Sequence, residues 1–304
     1  MKKMFFVLVL VFSLIVTVTG TALADNGPHG GFTLTTDACA GCHRTHTATG
    51  PKLLTGAGHV ICLNCHGSTG TGANTNVIDG VYTQRAGVTG EGTAGAGLLA
   101  GGFAATIMDS DLNGTPASVP TTSSHIYDGS TGTVWAYGNI SATPNNGQAN
   151  TSLSCMNCHD PHGKTGTNKT ATYRILRGKP TGVVTAAVVD VPDVVSKTYS
   201  VASATGNYFT QTYPAAQSDG MTVWCAQCHT RNLTGSGSGS TDSGDAVFTF
   251  RHTTNASGLA CTSCHVAHGS SALISGQAVN VGLAADSALL RVDNRGVCQG
   301  CHNK

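Results

Sequence analysis

The sequence predicts a mostly irregular chain, with short helices at six cysteine motifs, a few short β-strands, and something other than aliphatic packing at its centre. Three observations predict it. Glycine supplies 40 of 304 residues, while charged residues make up 10% and aromatics 6%, far from the quarter charged that a globular domain carries. All 12 cysteines fall in one repeated motif. Between the motifs lie long Gly-, Thr-, Ser- and Asn-rich stretches with no helical period.

Charge excludes several classes. Lys+Arg is 16 against Asp+Glu 15, with no basic run, so no nucleic-acid partner is expected. Gly-rich, charge-poor sequence also excludes a coiled coil. Residues 1–24 read as a signal peptide: Lys2 and Lys3, then a near-continuous apolar run, then Ala22-Leu23-Ala24 as a small-x-small cleavage site. No later stretch is long and apolar enough to span a bilayer. The expected product is exported, with no membrane span after cleavage.

The cysteines carry the chemistry. In an exported chain 12 of them first suggest disulfides. Yet each lies in Cys-x-x-Cys, and each pair is followed at once by histidine. The motifs are Cys39/Cys42-His43, Cys62/Cys65-His66, Cys155/Cys158-His159, Cys225/Cys228-His229, Cys261/Cys264-His265 and Cys298/Cys301-His302. Cys-x-x-Cys-His is the attachment signature of c-type haem. Two thiols at this spacing reach the two vinyl groups on one porphyrin edge, and the adjacent imidazole binds the iron from the same side. Zinc sites and redox dithiols also use Cys-x-x-Cys, but neither demands histidine after every pair. The expected cofactors are six covalently attached haems c, which would supply the missing core. The fold class is then a multihaem cytochrome c organised around stacked haems.

The remaining histidines supply distal iron ligands. Seven of the 13 lie outside the motifs: His29, His46, His59, His125, His162, His252 and His268. Six haems with two axial imidazoles each need six. His46, His162 and His268 each follow a motif histidine by three residues. Residues so spaced share one face of a helical turn, so the second imidazole cannot reach round its own haem and is expected on a neighbouring one.

The chain therefore reads as three repeats. Each has an upstream histidine, a Cys-x-x-Cys-His-x-x-His, a short Leu-containing patch and a plain Cys-x-x-Cys-His. The assignment expected from this order sends His46, His162 and His268 to the second haem of their own repeat. His29, His125 and His252 go to the first haem or to an adjacent repeat. His59 is the spare, or replaces His29. The domains are expected at 25–73 (first haem module), 74–124 (Gly/Thr-rich insertion), 125–232 (second module, β-rich near 183–213) and 233–304 (third module). Arg44, Arg174, Arg177, Lys179, Arg251, Arg291 and Arg295 stand near motifs as candidate propionate partners or plain surface bases.

The repeats resemble the doubled Cys-x-x-Cys-His modules of multihaem c-type cytochromes from bacteria that respire metals or other external acceptors. Six haems, low charge, Gly/Thr-rich loops and a signal peptide are also similar to the extracellular cytochromes that polymerise into conductive filaments (nanowires). That resemblance implies anaerobic respiration with extracellular electron transfer, other cytochromes and external acceptors as partners, and a homopolymer. In such filaments a histidine of one subunit ligates a haem of the next, and His29 is the position that matches. An iron with two histidines has no open site, so the expected function is electron transfer without catalytic residues. The alternatives are a periplasmic electron shuttle and a multihaem oxyanion reductase. A reductase needs an open iron, often marked by Lys in place of the motif histidine, and no such motif occurs.

Overall fold

The computed structural model describes residues 29, 39–70, 72–83, 94–108, 117–134, 137, 150–162, 175–182, 218–230, 261–273 and 288–291. The signal peptide, His252, the sixth motif (Cys298, Cys301, His302) and the expected β-rich stretch 183–213 lie outside these residues.

Helices within the described residues are short and sit at the motifs. Helix α1 (Gly58–His66) carries the second motif, α2 (Cys155–Cys158) the third and α3 (Ser218–Cys225) runs into the fourth. Helix α1 buries none of its residues, and Val60 on it is 46% exposed. Such a short helix is not stable by itself, and its apolar side chains have no protein core to enter. It ends where the Gly67 N–H turns back to the Leu63 carbonyl at 2.9 Å. Helix α2 starts at Ser154, whose N–H donates to Asn157 Oδ1 at 2.7 Å, satisfying one donor that the helix start leaves open.

Within the described residues the strands form four two-stranded antiparallel sheets. They pair β1 (Thr75–Asn76) with β2 (Val81–Tyr82), and β3 (Ala105–Met108) with β4 (Ala117–Pro120). Strand β5 (Ser123–Ser124) pairs with β8 (Gly269–Ser270), and β6 (Asp128–Thr133) with β7 (Asn150–Ser154). Five of these strands lie in the insertion 74–124, where polar residues bury with apolar ones. Tyr82, Leu98 and Leu99 are buried, and so are Asn76 and Thr106. The insertion is no bystander. The Ala100 carbonyl accepts the His268 N–H at 2.7 Å, and the Leu289 N–H donates to Ser123 Oγ at 2.8 Å. It thus floors the third module.

Three glycines make that contact possible. At Gly102 a Cβ would run into the Ala105 carbonyl and the Gly80 amide, and at Gly269 into the Gly102 carbonyl. Both neighbours are backbone and cannot swing away. Gly80, beside Gly102, has φ 66°, a conformation that other residues adopt only at a cost. Gly102→Ala is expected to destabilise the protein by about 2–3 kcal/mol. A fall of several degrees in the thermal unfolding midpoint checks this.

The apolar core is thin. Val266 and Ala272 are buried with Leu289 and Leu290 against them. Leu53 and Leu273 stay about half exposed, at 48% and 51%. Those described residues give protein–protein packing only a minor share of the burial a chain of this length needs.

Candidate functional site

Each described motif closes as one helical turn. The His43 N–H donates to the Cys39 carbonyl at 2.8 Å, His159 to Cys155 at 2.9 Å, His229 to Cys225 at 3.1 Å and His265 to Cys261 at 2.9 Å. The turn puts both thiols and the imidazole on one side of the chain.

In each repeat the Leu-containing patch then pairs with the motif. His43 bridges to Leu54, His159 to Leu176 and His265 to Leu290, all antiparallel. The same two hydrogen bonds recur. Arg44 N–H reaches the Leu53 carbonyl at 2.8 Å and Thr55 N–H the Cys42 carbonyl at 3.0 Å. Asp160–Ile175 and Arg177–Cys158 repeat them at 2.8 Å, as do Val266–Leu289 and Arg291–Cys264 at 2.8 Å. The patch is left-handed: φ is 61° at Lys52, 60° at Leu53, 56° at Ile175, 47° at Ala288 and 58° at Leu289. Non-glycine residues enter this region at a cost of roughly 1 kcal/mol or more each. The bend aims a carbonyl at the motif imidazole. His43 Nδ1 lies 2.8 Å from the Lys52 oxygen, and His265 Nδ1 lies 2.9 Å from the Ala288 oxygen. A carbonyl only accepts, so Nδ1 carries the proton and Nε2 keeps its lone pair, the state of a metal-ligating histidine.

The imidazoles meet in pairs. Ring centroids are 6.0 Å apart for His29 and His66, 6.0 Å for His43 and His162, 6.2 Å for His125 and His229, and 6.2 Å for His159 and His268. Two imidazoles on opposite faces of one iron, each nitrogen about 2 Å from the metal, place their centroids roughly 6 Å apart. Every pair joins one motif histidine to one non-motif histidine. The upstream histidines are fixed through Nδ1 as well. His29 lies 2.9 Å from the Pro161 carbonyl and His125 lies 2.6 Å from that of Ala267. Burial lowers the pKa of His125 and His265, and pulls His268 down to about 3, with His159 the next cause. These rings are neutral at physiological pH, as ligation requires.

This pairing differs from the expected assignment. His162 faces His43 of the preceding repeat rather than His229, and His268 faces His159 of the preceding repeat. His29 and His125 oppose the second motif of their own repeats instead of the first. Spacing alone fixes only that the second imidazole lies on the same side of the turn as the motif histidine, not which neighbouring motif it meets. His29, the position that matches an inter-chain role by resemblance, lies through Nδ1 2.9 Å from the Pro161 carbonyl. His46 is exposed and has no ring or hydrogen-bond partner among the described residues. His59 sits near Asp128 and has no ring contact with a motif histidine among the described residues.

The thiols come together in sequence order. Cys42 is raised by burial and then by the nearby Cys62 and Cys65. The Cys62 thiol hydrogen-bonds Cys155, which raises Cys62 and lowers Cys155. Burial and the neighbouring Cys228 push Cys158 up to about 12. Cys225 hydrogen-bonds Cys261, raising Cys225 and drawing Cys261 down to about 7. The described cysteines form no disulfide. Among the described residues no three His, Cys, Asp or Glu side chains converge as a metal site, and none of the helices is long and apolar enough to cross a membrane.

Several partners had no signal in the sequence: the Lys52, Ala288, Pro161 and Ala267 carbonyls, the Thr75 hydroxyl 2.8 Å from His66 Nδ1, and Phe103, stacked on His268 at 4.7 Å. Backbone acceptors leave no residue-type trace. The recurring Leu patch was the available hint. Of the candidate propionate partners, Arg44 caps the Ala40 carbonyl at 3.1 Å. Arg177 binds the Met156 carbonyl at 2.7 Å and lies 3.5 Å from Asp160. Both have local structural roles. Arg174, Arg251 and Arg295 lie outside the described residues.

Residues 33–71 match the family model for the doubled CXXCH motif. That match points to covalently bound haem c and to electron transfer by a multihaem c-type cytochrome. No curated protein and no solved structure matches the chain.

Proposed function

We propose that the chain is a hexahaem c-type cytochrome that conducts electrons along a row of low-spin haems, each held by two histidines. The four opposed imidazole pairs carry the reading. They join His43 to His162, His66 to His29, His159 to His268 and His229 to His125, with spacing that suits one iron between each. The thiol contacts support a row in sequence order, first haem to fifth. Bound haem supplies a one-electron iron(III)/iron(II) couple, filled by another cytochrome and emptied by an external oxidised acceptor. The chain's part would be to hold each Nε2 toward an iron, keep Nδ1 protonated and supply two imidazoles to each haem, which would leave no open site for a substrate. The leader-like segment 1–24 supports export to the cell surface or beyond, with a periplasmic shuttle as the alternative.

The pairing rule also supports a homopolymer. The upstream histidine serves the second haem of its own repeat. The x-x-His histidine serves the first haem of the preceding repeat. Applied again, His252 falls to His302. His265 then calls for an x-x-His histidine from another segment, and the exposed His46 is the one with no ring partner among the described residues. A second copy added after the third repeat brings its own His46 to the haem at His265.

The mature protein is expected to weigh six haems more than its amino acids, and to show sharp visible bands on reduction with dithionite. A mass equal to the polypeptide alone overturns the reading. A smaller haem number overturns the count. A dominant high-spin signal in electron paramagnetic resonance would favour the oxyanion reductase.

A further inference from the structure

Among the imidazoles with a defined Nδ1 hydrogen bond, His66 differs in kind. His29, His43, His125 and His265 face peptide carbonyls, whereas His66 Nδ1 lies 2.8 Å from Thr75 Oγ1. The hydroxyl arrives on a held segment. Thr75 opens β1 and pairs with Tyr82, a buried ring, and the Val77 N–H donates to the His66 carbonyl at 2.8 Å. Residues 75 and 77 thus grip the last residue of α1 from both its side chain and its backbone.

We infer that Thr75 sets the reduction potential of the second haem above the value that a carbonyl-backed histidine would give it. This rests on the haem reading above. With iron on Nε2, the His66 proton sits on Nδ1, so Thr75 Oγ accepts and does not donate. A ligating imidazole passes the strength of this hydrogen bond on to its metal. A stronger acceptor draws the proton outward, makes the ring more basic and favours the ferric state. An alcohol oxygen accepts more weakly than a peptide carbonyl. The His66–Thr75 contact is half-buried, so bulk water does not level the difference. The second haem stands between the first and the third in the thiol row, where Cys42 neighbours Cys62 and Cys62 meets Cys155. A raised potential there makes it a resting place for electrons early in the row.

The test is a spectroelectrochemical titration of the full mature holoprotein, with haem content and intact mass measured beside it. Thr75→Val keeps the shape but removes the acceptor; one component, about a sixth of the amplitude, is expected to move to higher potential. Thr75→Asp supplies a charged acceptor and moves one component lower. Thr75→Ser keeps the hydroxyl and leaves the curve as in the parent. Six haems in every variant with no component moved by Val or Asp would overturn the assignment. Movement of all components together would overturn it too, by showing a general structural change. Absence of haem in the parent would instead defeat the reading on which it rests, and the mass shows that separately.

Discussion

His162→Ala is expected to open one iron in six. The variant should keep all its haems, since both thioethers of every motif remain. A reduced sample should then bind carbon monoxide at about a sixth of its haems, where the parent protein binds little once its irons are capped. The haem affected should be the one on Cys39 and Cys42, because His162 faces His43 at 6.0 Å with nearly parallel rings. That identity is checked by combination. In a Cys39→Ser/Cys42→Ser background the first haem is gone, and His162→Ala should add no further carbon monoxide site. In a Cys225→Ser/Cys228→Ser background it should still add one. The reverse pattern would return His162 to the second haem of its own repeat, the assignment that motif order alone suggests. Such non-additivity within one site, and additivity between separate sites, is what a double-mutant comparison measures.

His46→Ala is expected to abolish assembly while leaving the single chain folded. His46 is exposed and bonds nothing among the described residues, so its removal costs the isolated chain little. In a polymer it would close the haem at His265 of the preceding copy. The parent should form ordered fibres in negative stain, and the variant should run as a monomer with one carbon monoxide-reactive haem. His29→Ala should act differently, opening the second haem of the same chain through loss of the contact with His66. Fibres of unchanged length from His46→Ala would defeat the inter-chain role. A parent that is monomeric at all concentrations would favour the periplasmic shuttle.

Much of the site was legible because its chemistry is written in residue types. Cysteine spacing and the histidine after each pair mark the expected attachment points, and the histidine count gives the expected coordination. The threefold order of upstream histidine, doubled motif and Leu patch was also visible, and the patch has a defined place in the structure. The partner of each distal histidine was not legible. Sequence distance favours His162 with its own repeat, while the ring of His162 lies 6.0 Å from that of His43. Left-handed Lys52, Leu53 and Ala288 carry no compositional mark, since the region normally selects glycine or asparagine. The strands of 74–124 were read as polar loop for a related reason. Their pairs are only two to four residues long, too short for an alternating pattern to rise above a Gly/Thr background.

The hydrogen bond from His29 to Pro161 spans 132 residues, and that from His125 to Ala267 spans 142. Chain closure over such lengths is slow and must wait for the distant segment to exist in the same compartment. A polypeptide threaded outward from its amino end delivers the first module long before the second. On the proposed reading, a haem attached to the first motif would lack its far-side ligand until some hundred further residues had crossed, and the modules would close one behind the leading end. An export stall midway would leave a reactive iron facing solvent, a state in which small diatomic gases or peroxide could attack the half-finished molecule.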